Sequence, residues 1–289
     1  MLARRPHPSL ALAACLTALT ACASWKPLPL PARDLTPQLA ALESASVDER
    51  LDNGLRLVLA PDDHAALAQL DVRVEAGARD DPPGKGGLAH VVEHMTFEYD
   101  VDVDGDAEPA TLGERLEALS LYHNAYTSAD VTHYTTTGLA ADVERLLALE
   151  VARLRADCEA LDAARFTREL TVVANELRQR AGDREQYLER ALTAAAFPEG
   201  HPYRDPPADD ELELAAITQA DVCAFVRSRY TPANITVVIT GGFDPARVRA
   251  IARRQFGALR RASAAPRSAL RGHSDAAAPR RRKAGSGAR

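Results

Sequence analysis

Gly87-Leu88-Ala89-His90-Val91-Val92-Glu93-His94-Met95-Thr96-Phe97 places two imidazoles and a carboxylate within one helical turn. Residues three and four apart on a helix are neighbours, with Cβ atoms about 5–6 Å apart. His90 and His94 can therefore share one Zn2+ ion without bending the backbone, and Glu93 then points at the water that completes the metal's ligands. The Glu precedes the second His, which inverts the commoner H-E-x-x-H order. Leu88, Val91, Val92 and Met95 supply an apolar stripe for the buried side, and Gly84, Gly86 and Gly87 give a flexible approach. A His on an amphipathic helix is more often a satisfied structural residue than a ligand. The motif therefore needs a third ligand elsewhere.

Structural zinc takes four protein ligands, whereas hydrolytic zinc keeps three and leaves one place open for water. Cys158 and Cys223 stand alone in helical patterns, without C-x-x-C spacing, and are expected to be two buried free thiols. Carboxylates are better candidates. Phe166, Leu170, Val173, Leu177 and Tyr187 give helical spacing over residues 162–187. Glu169 and Glu176 lie two turns apart on one face of that helix, beside the apolar Val172 and Val173. Either is a candidate ligand, and the ordinary reading of each is a surface Glu.

These residues together resemble the pitrilysin/insulinase family of inverted-motif zinc metallopeptidases. The zinc helix follows that family's G-x-A-H-x-x-E-H-M-x-F run, and Glu169-Leu170-Thr171-Val172-Val173-Ala174-Asn175-Glu176 follows its downstream ligand helix. Asn124-Ala125-Tyr126-Thr127-Ser128 matches its N-A-x-T segment, and Tyr230-Thr231-Pro232-Ala233-Asn234 its late Y-x-P-x-N element. The likeness runs in order over residues 46–259. It implies an α+β fold, with helices packed on a mostly antiparallel or mixed sheet, forming one half of a clamshell. It implies that His90, His94 and Glu176 bind one zinc, that Glu93 is the general base, and that Glu169 is a carboxylate behind the ligands. Asn124 and Ala125 would sit on an edge strand that pairs with the substrate backbone. Family members join two such halves, and the second supplies an Arg–Tyr pair that holds the substrate. Arg229 and Tyr230 belong to the first-half Y-x-P-x-N element and are not that pair. The expectation is a zinc endopeptidase half acting on peptides, completed by a second domain or partner subunit. The alternative is a truncated or non-catalytic partner subunit, which in this family usually lacks the H-x-x-E-H set kept here.

The rest of the chain bounds these readings. With 46% hydrophobic and 26% charged residues, it has the composition of an ordinary globule. Strands are expected at 55–59, 70–75, 122–128, 132–138 and 235–240. Helices are expected near 85–98, 111–119, 141–157, 162–187, 216–229 and 245–256. Asp100, Asp102, Asp104 and Asp106 alternate around Gly105 as in a calcium loop, but Thr111 stands where the bidentate Glu is needed. A solvated acidic insertion is the better reading. Residues 260–289 hold eight Arg, one Lys and one Asp, so the remainder is more acidic than the net charge of −6 suggests. Such a surface favours basic peptides or simply keeps the domain soluble. The basic tail has no hydrophobic period and is expected to be disordered, with no nucleic-acid partner.

Residues 1–21 read as a signal peptide: Arg4 and Arg5 precede an apolar run at 9–21 that is too short to span a bilayer. Leu19-Thr20-Ala21-Cys22 resembles a bacterial lipobox, which predicts lipidation of Cys22 and a membrane anchor on the periplasmic side of the cell envelope. Ordinary secretory cleavage is the rival. Residues 22–45, rich in Pro and Leu, read as a tether.

Overall fold

Leu67–Val74 (β3) alternates strictly: Ala68, Leu70, Val72 and Val74 are buried, while Leu67, Gln69 and Arg73 are exposed. A strand of this kind has one dry and one wet face. It lies near the middle of a six-stranded sheet in the computed structural model, which describes residues 45–103, 110–155, 158–181, 184–198, 201, 203 and 211–260, with Asp34 and Thr36. The chain divides into Met1–Ser44 and Ala45–Arg289, and the fold belongs to the second unit.

The other strands are Val47–Arg50 (β1), Arg56–Pro61 (β2), Tyr122–Thr127 (β6), Thr132–Leu139 (β7) and Ile235–Gly241 (β8), in the order β1-β2-β8-β3-β7-β6. The β2–β8 pair is parallel and the remaining pairs are antiparallel, so the sheet is mixed, with β6 on one edge. Asp100–Val101 (β4) and Ala110–Thr111 (β5) form a separate two-stranded ladder around the acidic insertion. Residues 104–109 lie outside the described residues, and Asp100 pairs with Arg165 at 2.7 Å.

Eight α-helices accompany the sheet among the described residues. They are Leu88–Met95 (α1), Leu112–Leu119 (α2), Val143–Arg155 (α3), Ala163–Ala181 (α4), Arg184–Ala196 (α5), Glu211–Ala215 (α6), Gln219–Arg229 (α7) and Pro245–Gly257 (α8). The expected α+β, helices-on-sheet architecture is the one observed. One core joins Leu57, Leu70, Val72, Val237 and Ile239 of the sheet to Leu88, Val92 and Met95 of α1, Val173 of α4 and Phe256 of α8.

One expectation is met in two described pieces, and one needs correction. The helix foreseen over 162–187 is described as α4 up to Ala181 and as α5 from Arg184, with residues 182–183 outside the described residues. Cys158 and Cys223, expected as free thiols, form a disulfide, with Cα atoms 5.4 Å apart. The backbone of Cys158 is drawn to α7 because Gln219 Nε2 donates to the carbonyls of Cys158 and Leu161, at 3.1 and 2.9 Å. The signal segment, Cys22, most of the tether, and residues 261–289 lie outside the described residues.

Candidate metal centre

The centre is built on α1, whose apolar residues Leu88, Val91, Val92 and Met95 are all at most 1% exposed. Gly87 precedes the helix at φ 86°, in the left-handed region that glycine enters without strain. It offers no side chain to cap the helix. Asp81 reaches across instead and accepts the Gly87 and Ala89 N–H groups at 2.9 and 2.8 Å. Burial pushes the Asp81 carboxyl up to about 7, against the pull of those N–H groups. The other end of α1 is held from beneath. Thr96 Oγ1 donates to the Glu93 carbonyl at 2.8 Å, and Arg153 Nη1 donates to Thr96 Oγ1 at 3.1 Å. Arg153 pairs with buried Glu150 at 2.8 Å and lies over the rings of Phe97 and Tyr134.

Helix α4 brings in the two carboxylates. Glu176 faces both imidazoles: its Oε2 is 3.4 Å from His90 Nε2 and its Oε1 is 3.7 Å from His94 Nε2. Two ligands at about 2.0–2.1 Å from a tetrahedral zinc lie about 3.3 Å apart, so these separations suit a shared ion. Glu169 Oε2 sits 3.4 Å from the other nitrogen of His94, Nδ1. A carboxylate in that place fixes the ring and its tautomer. Burial first, then the neighbouring His94 and Arg180, lowers His90 to about 3, so its ring is neutral and its lone pair available. The donor set fits zinc.

Glu93 is buried at 7% exposure, and desolvation raises its carboxyl above the usual range. Its carboxylate has a ligand atom within 4.8 Å of the ring nitrogens of His90 and His94, so these three residues by themselves make a group that can hold a metal. Glu93 Oε2 also accepts a 2.5 Å hydrogen bond from Thr127 Oγ1.

Edge strand β6 closes the site. His90, Glu93, His94, Asn124, Ala125 and Thr127 all line one cleft of about 520 Å3, together with Glu176 and Arg180. The sheet ends at β6, so its outer side has no strand neighbour among the described residues. Of the other residues expected at the site, Glu169 stands beside His94 and outside the cleft lining, and Cys22 lies outside the described residues. Three features were not foreseen. Thr127 carried a readable signal, since His123, Ala125 and Thr127 share the less exposed face of β6 by period two. Arg180 stands one helical turn beyond Glu176 and 3.4 Å from it. Asp81 gave no pattern, because its partners are backbone.

Fold, cleft and donor set together make one sheet-and-helix half with a site that can hold a metal ion. Residues 56–205, which hold all the candidate ligands, match the insulinase family, peptidase family M16, and the chain belongs to it. Residues 216–284 match the Peptidase M16 inactive domain, a match that runs past residue 259 into the basic tail. Among curated relatives, the β subunit of the mitochondrial-processing peptidase of Lentinula edodes is 26% identical over 209 residues, covering 72% of this chain and 43% of that protein. An uncharacterized zinc protease of Mycobacterium leprae is 29% identical over 210 residues, covering 72% and 45%. The chain thus spans less than half the length of these relatives. The first half of the periplasmic protease PqqL from Escherichia coli has the same fold, with a TM-score of 0.68 at 22% identity, over 78% of this chain and 48% of that one.

Proposed function

We propose that this chain is the metal-binding half of a zinc endopeptidase that hydrolyses peptides or small unfolded proteins, completed by a second clamshell domain or a partner subunit. The facing of His90 and His94 Nε2 onto the two oxygens of Glu176, with Glu93 on the same turn, carries the reading. His90, His94 and Glu176 would hold the ion, which when bound polarises a water molecule and the scissile carbonyl. Glu93 takes the proton of the attacking water and returns it to the leaving amine. Glu169 orients His94 through Nδ1. Strand β6 receives an extended peptide by strand addition at Asn124 and Ala125.

The need for a second half is supported by the relatives' own descriptions, one a β subunit and one the first half of a protease. The lipobox at Cys22 supports a lipid anchor at the periplasmic face of a bacterial envelope. The Cys158–Cys223 disulfide agrees with an oxidising compartment. Fractionation of a bacterial host tests the anchor: Cys22→Ser should leave the membrane fraction, and a wholly soluble wild type would favour ordinary secretion.

Metal analysis tests the site. One zinc per chain is expected, lost in His90→Ala and Glu176→Ala. Glu93→Gln should keep its zinc and lose turnover. Loss of zinc from Glu93→Gln would make Glu93 a ligand instead of the base.

A further inference from the structure

Two carboxylates, Glu93 and Glu176, lie within reach of the same pair of imidazoles. Their roles are incompatible, since a ligand must give its lone pairs to the metal and a base must keep one for a proton. Chemistry does not separate them, because they are the same residue type. Their surroundings do.

Resting on the zinc-site reading above, we propose that Thr127 assigns the two roles: its hydroxyl tethers Glu93 to strand β6, keeps it off the metal and leaves Glu176 as the third ligand. The tether is a 2.5 Å hydrogen bond from Thr127 Oγ1 to Glu93 Oε2. Among the described residues, the Thr127 proton has one other acceptor nearby, Thr132 Oγ1 at 3.4 Å. Thr132 in turn donates to the Ala76 carbonyl at 3.0 Å. The shorter bond to a charged acceptor takes the Thr127 proton. Among the described residues Glu176 has no such tether from the sheet; its partners there are the two imidazoles and Arg180, all lining the cleft.

The anchor is rigid because β6 is pinned just beyond Thr127. Ser128 N–H donates to the Val131 carbonyl at 2.8 Å, and Ala78 N–H donates to the Ser128 carbonyl at 2.9 Å. Gly77 makes the second contact possible, since a Cβ there would lie 2.3 Å from the Ser128 oxygen. A buried carboxylate deprived of its donor is costly and seeks the nearest cation. With the hydroxyl gone, that cation is the metal.

Zinc affinity, measured by competition with a chromogenic chelator, and the visible spectrum of the Co2+-loaded protein test this without any turnover. Glu176→Ala should weaken zinc binding at least ~10-fold, because tethered Glu93 cannot replace the lost ligand. Thr127→Val is isosteric, and adding it to Glu176→Ala should recover at least ~10-fold and shift the Co2+ bands. Thr127→Ser, which keeps the hydroxyl, should recover nothing. A further Glu93→Gln change should abolish the recovery. Thr127→Ala serves in place of Thr127→Val if far-UV circular dichroism shows the latter unfolded. A wild-type chain that binds no zinc overturns the metal-site reading and this one with it. Zinc binding by the wild type, with no gain in the Thr127→Val/Glu176→Ala pair, overturns the assignment to Thr127 alone.

Discussion

Asp81 decides how firmly α1 begins. Its carboxyl accepts two N–H groups at the start of α1. Burial nevertheless lifts it from 3.8 to about 7, with Asp80 adding repulsion. A carboxyl raised in the fold contributes stability that is complete below its unfolded value and is lost as pH rises through the folded value. That window runs from about pH 4 to pH 7. Asp81→Asn keeps an oxygen for the two N–H groups and cannot ionise. Melting of wild type and variant from pH 4.5 to 8 should show the wild type losing ground to Asp81→Asn as pH rises. The expected loss is about 1–2 kcal/mol, discounted for the partial exposure of the group. A difference that stays flat with pH would refute the assignment. At this scale, His90, Glu93 and His94 could be read directly because one helical turn contains them. Asp81 could not, because a backbone cap from six residues away leaves no spacing rule; for Thr127 the period of β6 gave the face, but no spacing rule gives its tether to Glu93 across 34 residues.

Helices α4 and α7 show what periodicity carries and what it omits. The stripe of Phe166, Leu170, Val173 and Leu177 was enough to place α4 and its two carboxylates, since Val173 and Leu177 are buried. The same stripe was extended to Tyr187, which lies in α5. Tyr187 is 74% exposed and belongs to no buried face. The disulfide was hidden for another reason: its cysteines are 65 positions apart, and only the packing of residues 158–160 against α7 brings them together. It ties the approach to α4 to a helix that packs on α1. A cross-link closing a loop of that size is worth about 2–5 kcal/mol through the unfolded chain. Replacing both cysteines with Ser should lower the melting temperature accordingly and leave the helix content unchanged. Alkylation of the unreduced, exported protein that labels both cysteines would show that the bond does not form.

Among the described residues, the candidate metal centre lies on an open face. The cleft is walled by α1, α4 and the unpaired edge of β6, and nothing described stands opposite. Beside it, Leu121, Tyr122 and Tyr126 are 62%, 54% and 52% exposed, and Tyr187, Leu188 and Leu192 of α5 are also exposed. An open site leaves the developing oxyanion to water and fails to hold the peptide in place. Loss of even one oxyanion donor typically costs about 10²–10³ in turnover. The chain alone should therefore bind zinc yet cleave an unstructured peptide very slowly, and should self-associate through the exposed apolar residues. Adding a second-half domain should raise the rate by at least that factor and suppress the self-association. Peptide cleavage, followed beside light scattering with and without the second half, measures both effects together. A verified monomer that cleaves at full rate would show that donors for the oxyanion lie within this half.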